Sequence, residues 1–282
     1  MSLRRPIVCI HGGAGLRPGP ARLEAIRSHL QAIGARAARF LTRHSTIETV
    51  AYAVRLLEDD PLFNAGTGSM LQRDGAARMS ASIMDGATGR FAGVLNIERV
   101  KNPILVASRL LKEADRLLAG REATRFARAH GFRTWNPITP ERRRQWQQHW
   151  STAHGTVGAV ACDRAGRVAA ATSTGGKGFE QPGRVSDTGM PVGNYATPTL
   201  AISCTGIGED IIEEGLGVRL AQCVMDGATL AQAFATTFRE ATRHRRQVGA
   251  IAVDAKGRIA WSTTCPMLFA IAHTPTRQVE SF

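Results

Sequence analysis

One pattern occurs twice in the second half of the chain. Residues 158–169 and 249–260 align without gaps: small and branched apolar residues lead into an aspartate (Asp163 or Asp254), a glycine follows three positions later (Gly166 or Gly257), and an apolar run resumes. An aspartate in that place hydrogen-bonds its own turn backbone, and the glycine takes a positive φ at no steric cost, so each copy reads as a tight hairpin of largely buried strands. Two apolar hairpins require sheet faces to be covered, and the rest of the sequence supplies the cover. Residues 22–42 have helical periodicity. Ser45, with Glu48 three positions on, forms a capping box that opens a helix ending near Glu58, where Asp59, Asp60 and Pro61 stop it. Residues 209–225 and 229–243 are amphipathic, and residues 102–130 read as one or two helices. Strands are expected at 7–10, within 63–97 and at 198–204. Residues 134–154 lose apolar periodicity and read as a surface linker. Strands in runs and helices in runs indicate an α+β fold with the strands in the middle.

Several function classes find no support. The glycine-rich turn after Ile10 lacks GxGxxG spacing because Pro18 falls where a third glycine is needed, and no phosphate-binding GxxxxGK[ST] occurs. The five cysteines are odd in number, widely spaced and without a CxxC pair, which suits reduced core thiols. The histidines form no HExxH or other metal-ligand cluster. The net charge of +13 is mostly arginine spread along the chain; its two clusters, at 142–144 and 243–246, are not interleaved with aromatics, so neither a nucleic-acid partner nor a membrane is expected. No long apolar stretch and no signal-peptide core is present, and the expected location is the cytoplasm.

The chemistry concentrates where the hydrophilic linker ends at Gly155-Thr156 and a core strand begins. One reading is a strand threonine after a loop glycine. The other is a nucleophile: glycine lets the peptide bend so that the Thr156 hydroxyl attacks the Gly155 carbonyl, and hydrolysis of the ester frees the α-amine of Thr156. That amine, with an ordinary pKa of about 7.7 to 8.0, can then serve as general base for its own hydroxyl.

Seven segments in order decide between them. They are His11-Gly12-Gly13-Ala14-Gly15, Leu62-Phe63-Asn64-Ala65-Gly66 with Gly68-Ser69, Ala81-Ser82-Ile83-Met84-Asp85-Gly86, Gly155-Thr156-Val157-Gly158-Ala159, Thr172-Ser173-Thr174-Gly175-Gly176, Pro182-Gly183-Arg184-Val185 with Asp187, and Ser203-Cys204-Thr205-Gly206 with Gly208-Glu209. Over nearly its whole length the chain resembles the plant-type L-asparaginase and isoaspartyl peptidase family of amino-terminal-nucleophile hydrolases. The resemblance implies a four-layer αββα sandwich, one domain over 1–282, cut into an α chain (1–155) and a β chain (156–282) that pair as a dimer of αβ units. It implies Thr156 as nucleophile, Thr174 managing its proton, and Thr205 and Gly206 as the oxyanion hole. Arg184 and Asp187, beside Gly208, would clamp the α-carboxylate and α-ammonium of a substrate with a free L-aspartyl end, and Asn64 would support the nucleophile. No cofactor is implied except a structural sodium ion held by backbone carbonyls of Leu57, Glu58, Asp60, Phe63, Ala65 and Thr67. The rivals are a glycosylasparaginase-type amidase and, from another class, a non-catalytic basic binding module. Isoaspartyl dipeptides are expected to be better substrates than glycosylated asparagine, with a basic second residue favoured if Glu180 faces the leaving group. Two departures from the family pattern bear on the leaving group: Ser80, where aspartate is common, and the segment Thr264-Cys265-Pro266-Met267.

Overall fold

The computed structural model describes residues 6–149, 155–274 and 277–281. Its strands form two sheets. The larger joins β1 (Ile7–Gly15), β2 (Met79–Asp85), β3 (Phe91–Ile97), β4 (Leu117–Ala119), β5 (Val157–Cys162), β6 (Val168–Thr174), β11 (Met267–His273) and β12 (Gln278–Glu280) in the order β12-β11-β1-β5-β6-β2-β3-β4. The smaller has the order β10-β9-β8-β7, from β7 (Asn194–Thr197), β8 (Leu200–Gly206), β9 (Val248–Asp254) and β10 (Ile259–Thr263). All pairings are antiparallel except β3 with β4.

Period-two alternation explains why the strands read as unbroken apolar runs: both faces of the inner strands are covered. Val8 and Ile10 of β1 face a core shared with helices α1 (Pro20–Leu41), α2 (Thr46–Asp59) and α3 (Pro103–Leu110), whereas Ile7 and Cys9 face a second core. That second core lies between the sheets, where Val160, Cys162 and Ala170 meet Ala201, Ile251 and Val253. The opposite side of the small sheet, with Leu200, Ile202 and Val248, packs on α7 (Leu216–Met225) and α8 (Leu230–Arg243) through Leu220, Phe234 and Phe238.

Both repeated hairpins form, one in each sheet. Asp163 Oδ1 accepts from the backbone of Ala165 and Arg167, and Asp254 Oδ1 from that of Lys256 and Arg258, while Gly166 and Gly257 take φ of 84° and 76°. Ser45 and Glu48 make the reciprocal capping box, and all five cysteines are free thiols.

The strands expected within 63–97 are β2 and β3, and residues 63–78 before them are turns and irregular chain. Three expectations need correction. The short strand β4 interrupts 102–130, pairing with β3 before α4 (Gly120–Ala129). The helix expected over 209–225 is two, α6 (Gly208–Glu214) and α7, divided at Gly215 with φ 57°. Residues 134–149 are not a free surface linker: α5 (Pro140–Gln147) docks on the body by burying Arg142, whose Nε donates to the Gly68 carbonyl at 2.7 Å, and Gln145. Arginine alone satisfies no apolar period, so sequence periodicity misses it. The remainder of that expectation, residues 150–154, lies outside the described residues. No helix among the described residues is long and apolar enough to cross a membrane.

Candidate active site

The glycine-rich turns of the sequence meet at one end of the two sheets. Antiparallel pairing of β5 with β6 sets Val157 opposite Ser173, which places Thr156, just before β5, beside Thr174 at the end of β6. The Thr156 hydroxyl donates to Thr174 Oγ1 at 3.2 Å, and the Gly176 N–H donates to the same oxygen at 3.2 Å. Thr174 therefore presents its oxygen to the Thr156 proton. Thr156 is 8% exposed, shielded from bulk water but reachable.

The preceding Gly155 is held in a slot that only glycine fits. A Cβ on Gly155 would lie 2.8 Å from Cβ of Asn64, and a Cβ on Gly13, where φ is +119°, would lie 2.9 Å from the Gly155 Cα. Asn64 is itself locked. Its Oδ1 accepts from Met70 N at 2.9 Å, its Nδ2 donates to the Gly176 carbonyl at 2.5 Å, and its own carbonyl takes the Gly175 N–H at 2.8 Å. Strand β1 also brings His11 behind the threonine. Burial drives that ring's pKa down to about 3, opposed by its contact with the Thr156 backbone, so the imidazole is neutral; its Nε2 meets Ser203 Oγ at 2.8 Å.

From the other sheet, β8 ends in Thr205 and Gly206. Thr205 Oγ1 accepts from the Ala14 N–H at 3.1 Å, which orients the hydroxyl so that its own proton is directed elsewhere. At Gly206 φ is +129° and a Cβ would strike the Gln247 carbonyl at 2.3 Å, so only glycine permits this turn.

The route from the threonines to the charged groups runs through the loop after β6. Lys177 Nζ reaches Glu209 Oε1 at 3.1 Å, and Glu209 takes Arg184 in a two-pronged pair, Nε to Oε1 at 3.0 Å and Nη2 to Oε2 at 2.8 Å. Burial would raise the Glu209 pKa, yet the bonds from Arg184, its own backbone and Lys177 outweigh it and bring the value to about 2. Asp187 lies in a single 3-10 turn (Asp187–Gly189), 2% exposed; burial pushes its pKa up to about 6, only partly offset by the Ser186 hydroxyl and the Arg184 charge. Its Oδ1 accepts from Ser186 Oγ at 3.0 Å, and its buried Oδ2 has no hydrogen-bond partner among the described residues. Gly208 sits between the two charges: a Cβ there would lie 2.4 Å from Arg184 Nη2 and 2.8 Å from Asp187 Oδ1. A guanidinium beside a carboxylate oxygen that has no partner among the described residues, with no side chain at Gly208 between them, is an arrangement that can take up a group carrying both signs of charge.

A family model described as asparaginase matches residues 4–154 and 149–281. The chain belongs to the asparaginase family. It is 45% identical to the isoaspartyl peptidase/L-asparaginase of a Nostoc species over 95% of this chain and 92% of that protein. The protein of the same name from a Synechocystis species is 43% identical over 96% and 88%. The plant-type L-asparaginase of Pyrococcus abyssi is 36% identical over 90% and 92%.

In this asparaginase-family chain three residues have places that the sequence does not disclose. Glu209 stands in the sequence only as the end of a motif, and its capture of Arg184 spans 25 positions. For Glu58 the sequence points to the carbonyl, but its wholly buried side chain also matters. It accepts from Ser173 Oγ at 2.6 Å and Ile104 N at 3.0 Å, tying α2 to the strand residue next to Thr174, and burial raises its pKa to about 8. Glu180 is buried against Gly176 and does not line the cavity beside Gly155, so it faces neither solvent nor that space. The departure at Ser80 falls directly opposite Thr174 in the pairing of β2 with β6, and its Oγ accepts from the N–H of Asn96, whose side chain in turn donates to the Gly183 carbonyl beside Arg184. Thr264 instead pins the start of β9, accepting from the Val248 N–H and donating to the Arg246 carbonyl.

Proposed function

We propose that this chain is a self-activating threonine hydrolase that cleaves β-aspartyl amides, both isoaspartyl dipeptides and L-asparagine, and releases L-aspartate. The observation that carries the reading is the Thr156 hydroxyl, aimed at Thr174 and directly following a peptide bond whose glycine is wedged between Gly13 and Asn64. The names of the relatives support the substrate class.

In the first step Thr156 Oγ attacks the Gly155 carbonyl carbon, the bond to Thr156 N breaks, and that nitrogen takes up a proton; water then hydrolyses the ester to give an α chain ending at Gly155 and a β chain starting at Thr156. In turnover the free α-amine takes the hydroxyl proton as Oγ attacks the substrate's side-chain carbonyl. The Thr205 hydroxyl and the Gly206 N–H stabilise the oxyanion, and the α-ammonium returns the proton to the departing nitrogen. Water, activated by the same amine, frees L-aspartate. Arg184 holds the α-carboxylate and Asp187 the α-ammonium throughout, which restricts the acyl group to a free L-aspartyl end.

The same reading includes a four-layer αββα domain, which the three successive cores support, and a dimer of αβ units. It also includes a structural sodium ion on the carbonyls of Leu57, Glu58, Asp60, Phe63, Ala65 and Thr67. The loop curls tightly, the carbonyls of Pro61 and Phe63 lying 2.6 and 2.8 Å from where a Gly68 Cβ would be, and backbone carbonyls are the oxygen donors a hard cation takes. The Glu58 and Asp60 carbonyls already accept from Thr67 N and Phe63 N, each retaining a second lone pair.

A mass spectrum of the purified protein together with aspartate release from a β-aspartyl dipeptide tests the proposal. Two fragments that divide between Gly155 and Thr156, in an active preparation, are expected. An active protein that remains one chain would overturn the mechanism.

A further inference from the structure

Beside Gly155 lies a cavity of about 420 Å³ whose charged lining, among the described residues, is Arg17, Arg22, Arg142 and one acid, Glu141. Arg142 is 5% exposed. Its Nε is held by the Gly68 carbonyl and its Nη1 by Gln145, while its Nη2 makes no hydrogen bond among the described residues. Arg22 reaches Glu141 only at 3.6 Å and the Leu62 carbonyl at 3.5 Å, and Arg17 has no ion-pair partner among the described residues. Three guanidinium groups against one carboxylate leave an excess of positive charge in a concave space, a surplus that an anion would balance.

The chemistry of the reaction says what reaches this space. The α-ammonium of Thr156 must hand its proton to the departing nitrogen, so that nitrogen has to lie next to Thr156 N. That is the atom to which Gly155 is bonded before cleavage. Once the bond is cut and Gly155 withdraws, the leaving group takes the space opened there, and Gly155 itself lines the arginine-bearing cavity. An isoaspartyl dipeptide carries one feature in that position whatever its second residue: the free α-carboxylate of the amino acid that leaves. L-Asparagine carries none.

Resting on the function proposed above, we infer that Arg17, Arg22 and Arg142 form a carboxylate subsite for the leaving amino acid, which makes this enzyme selective for dipeptides over L-asparagine. The cut terminus of the α chain at Gly155 is a carboxylate too, and would compete for the same groups.

The experiment compares kcat/KM for β-Asp-Leu, β-Asp-leucinamide and L-asparagine in the mature wild type and in the Arg17→Gln/Arg22→Gln double variant, which spares the structural Arg142. A charge-assisted pair lost at a partly shielded site predicts that the acid exceeds the amide by about tenfold, mainly through KM, in the wild type. In the double variant that preference, and the preference for β-Asp-Leu over L-asparagine, should shrink by a similar factor; comparing ratios cancels the intrinsic difference between the two leaving amines. Equal rates on acid and amide in the wild type, as would follow if the Gly155 carboxylate permanently filled the cavity, overturn the subsite. So does a preference that the double variant retains in full. A wild type that releases aspartate from none of the three refutes the underlying function instead, and the subsite with it.

Discussion

Asp187 offers the sharpest test of the link between electrostatics and function, because the cost of its charge and the use of its charge can be measured in the same variant. Its carboxylate is buried and receives one hydroxyl hydrogen bond, from Ser186, while Oδ2 has no hydrogen-bond partner among the described residues, and its pKa rises from 3.8 to about 6. At 1.36 kcal/mol per unit, keeping it ionised in the folded state costs about 3 kcal/mol at neutral pH. The sign follows from linkage: with the folded pKa above the unfolded one, the penalty is absent below about pH 3.8, grows as pH rises, and is complete above about pH 6. About 2 kcal/mol of it falls between pH 4.5 and 7.5. Asp187→Asn keeps the shape and removes the titration. Urea unfolding of both forms in a Thr156→Ala background, where each remains a single chain, should show the stability of the variant relative to the parent improving by that amount from pH 4.5 to 7.5. In the cleavable background the same substitution should lower kcat/KM on β-aspartyl dipeptides roughly a hundredfold, because no carboxylate meets the α-ammonium. The wild-type profile of kcat/KM should have an acidic limb near pH 6 that the variant lacks. A stability gap that is the same at both pH values would refute the reasoning.

Thr156→Ala should accumulate as a folded, inactive, full-length protein by mass spectrometry, whereas Thr156→Ser, which keeps the oxygen and loses only the methyl that restricts χ1, should retain some cleavage. Arg184→Lys should still yield two chains on a denaturing gel, since the clamp takes no part in the intramolecular step, while its turnover of β-aspartyl dipeptides falls because an ammonium lacks the planar fork. Glu209→Gln should raise KM by about tenfold with a smaller change in kcat, because Arg184 loses a two-pronged charged partner that is ionised down to about pH 2. Unchanged kinetics would remove Glu209 from the positioning of Arg184.

Much of the molecule is legible in the sequence for reasons local to the chain. The Asp163 and Asp254 hairpins, the capping box at Ser45 and the stop at Pro61 depend on residues within five positions of one another, so their physics is contained in a short window. The helices whose apolar faces meet a core, α1, α2 and α8, carry the matching period. Arg142 shows where this fails: α5 is anchored by a buried arginine whose partner is the carbonyl of Gly68, and nothing in a polar segment distinguishes a docked guanidinium from a solvated one. Gly215 divides a helix that periodicity joins, because an αL residue leaves the apolar spacing on either side almost intact.

The same division runs through the site. Sequence alone determined which residues could do chemistry: a hydroxyl after a glycine at Thr156, a guanidinium and a carboxylate at Arg184 and Asp187, and the order of motifs that marks the family. Only the tertiary structure decided that Thr174 stands opposite Thr156, that Ser80 is its other neighbour, that Glu209 holds Arg184, and that the distant Arg142 joins Arg17 and Arg22 in lining the space beside Gly155. Strand register and the stacking of two sheets create those distances, and both are set by the summed burial of many apolar side chains across the whole chain, a quantity that no local stretch of sequence contains.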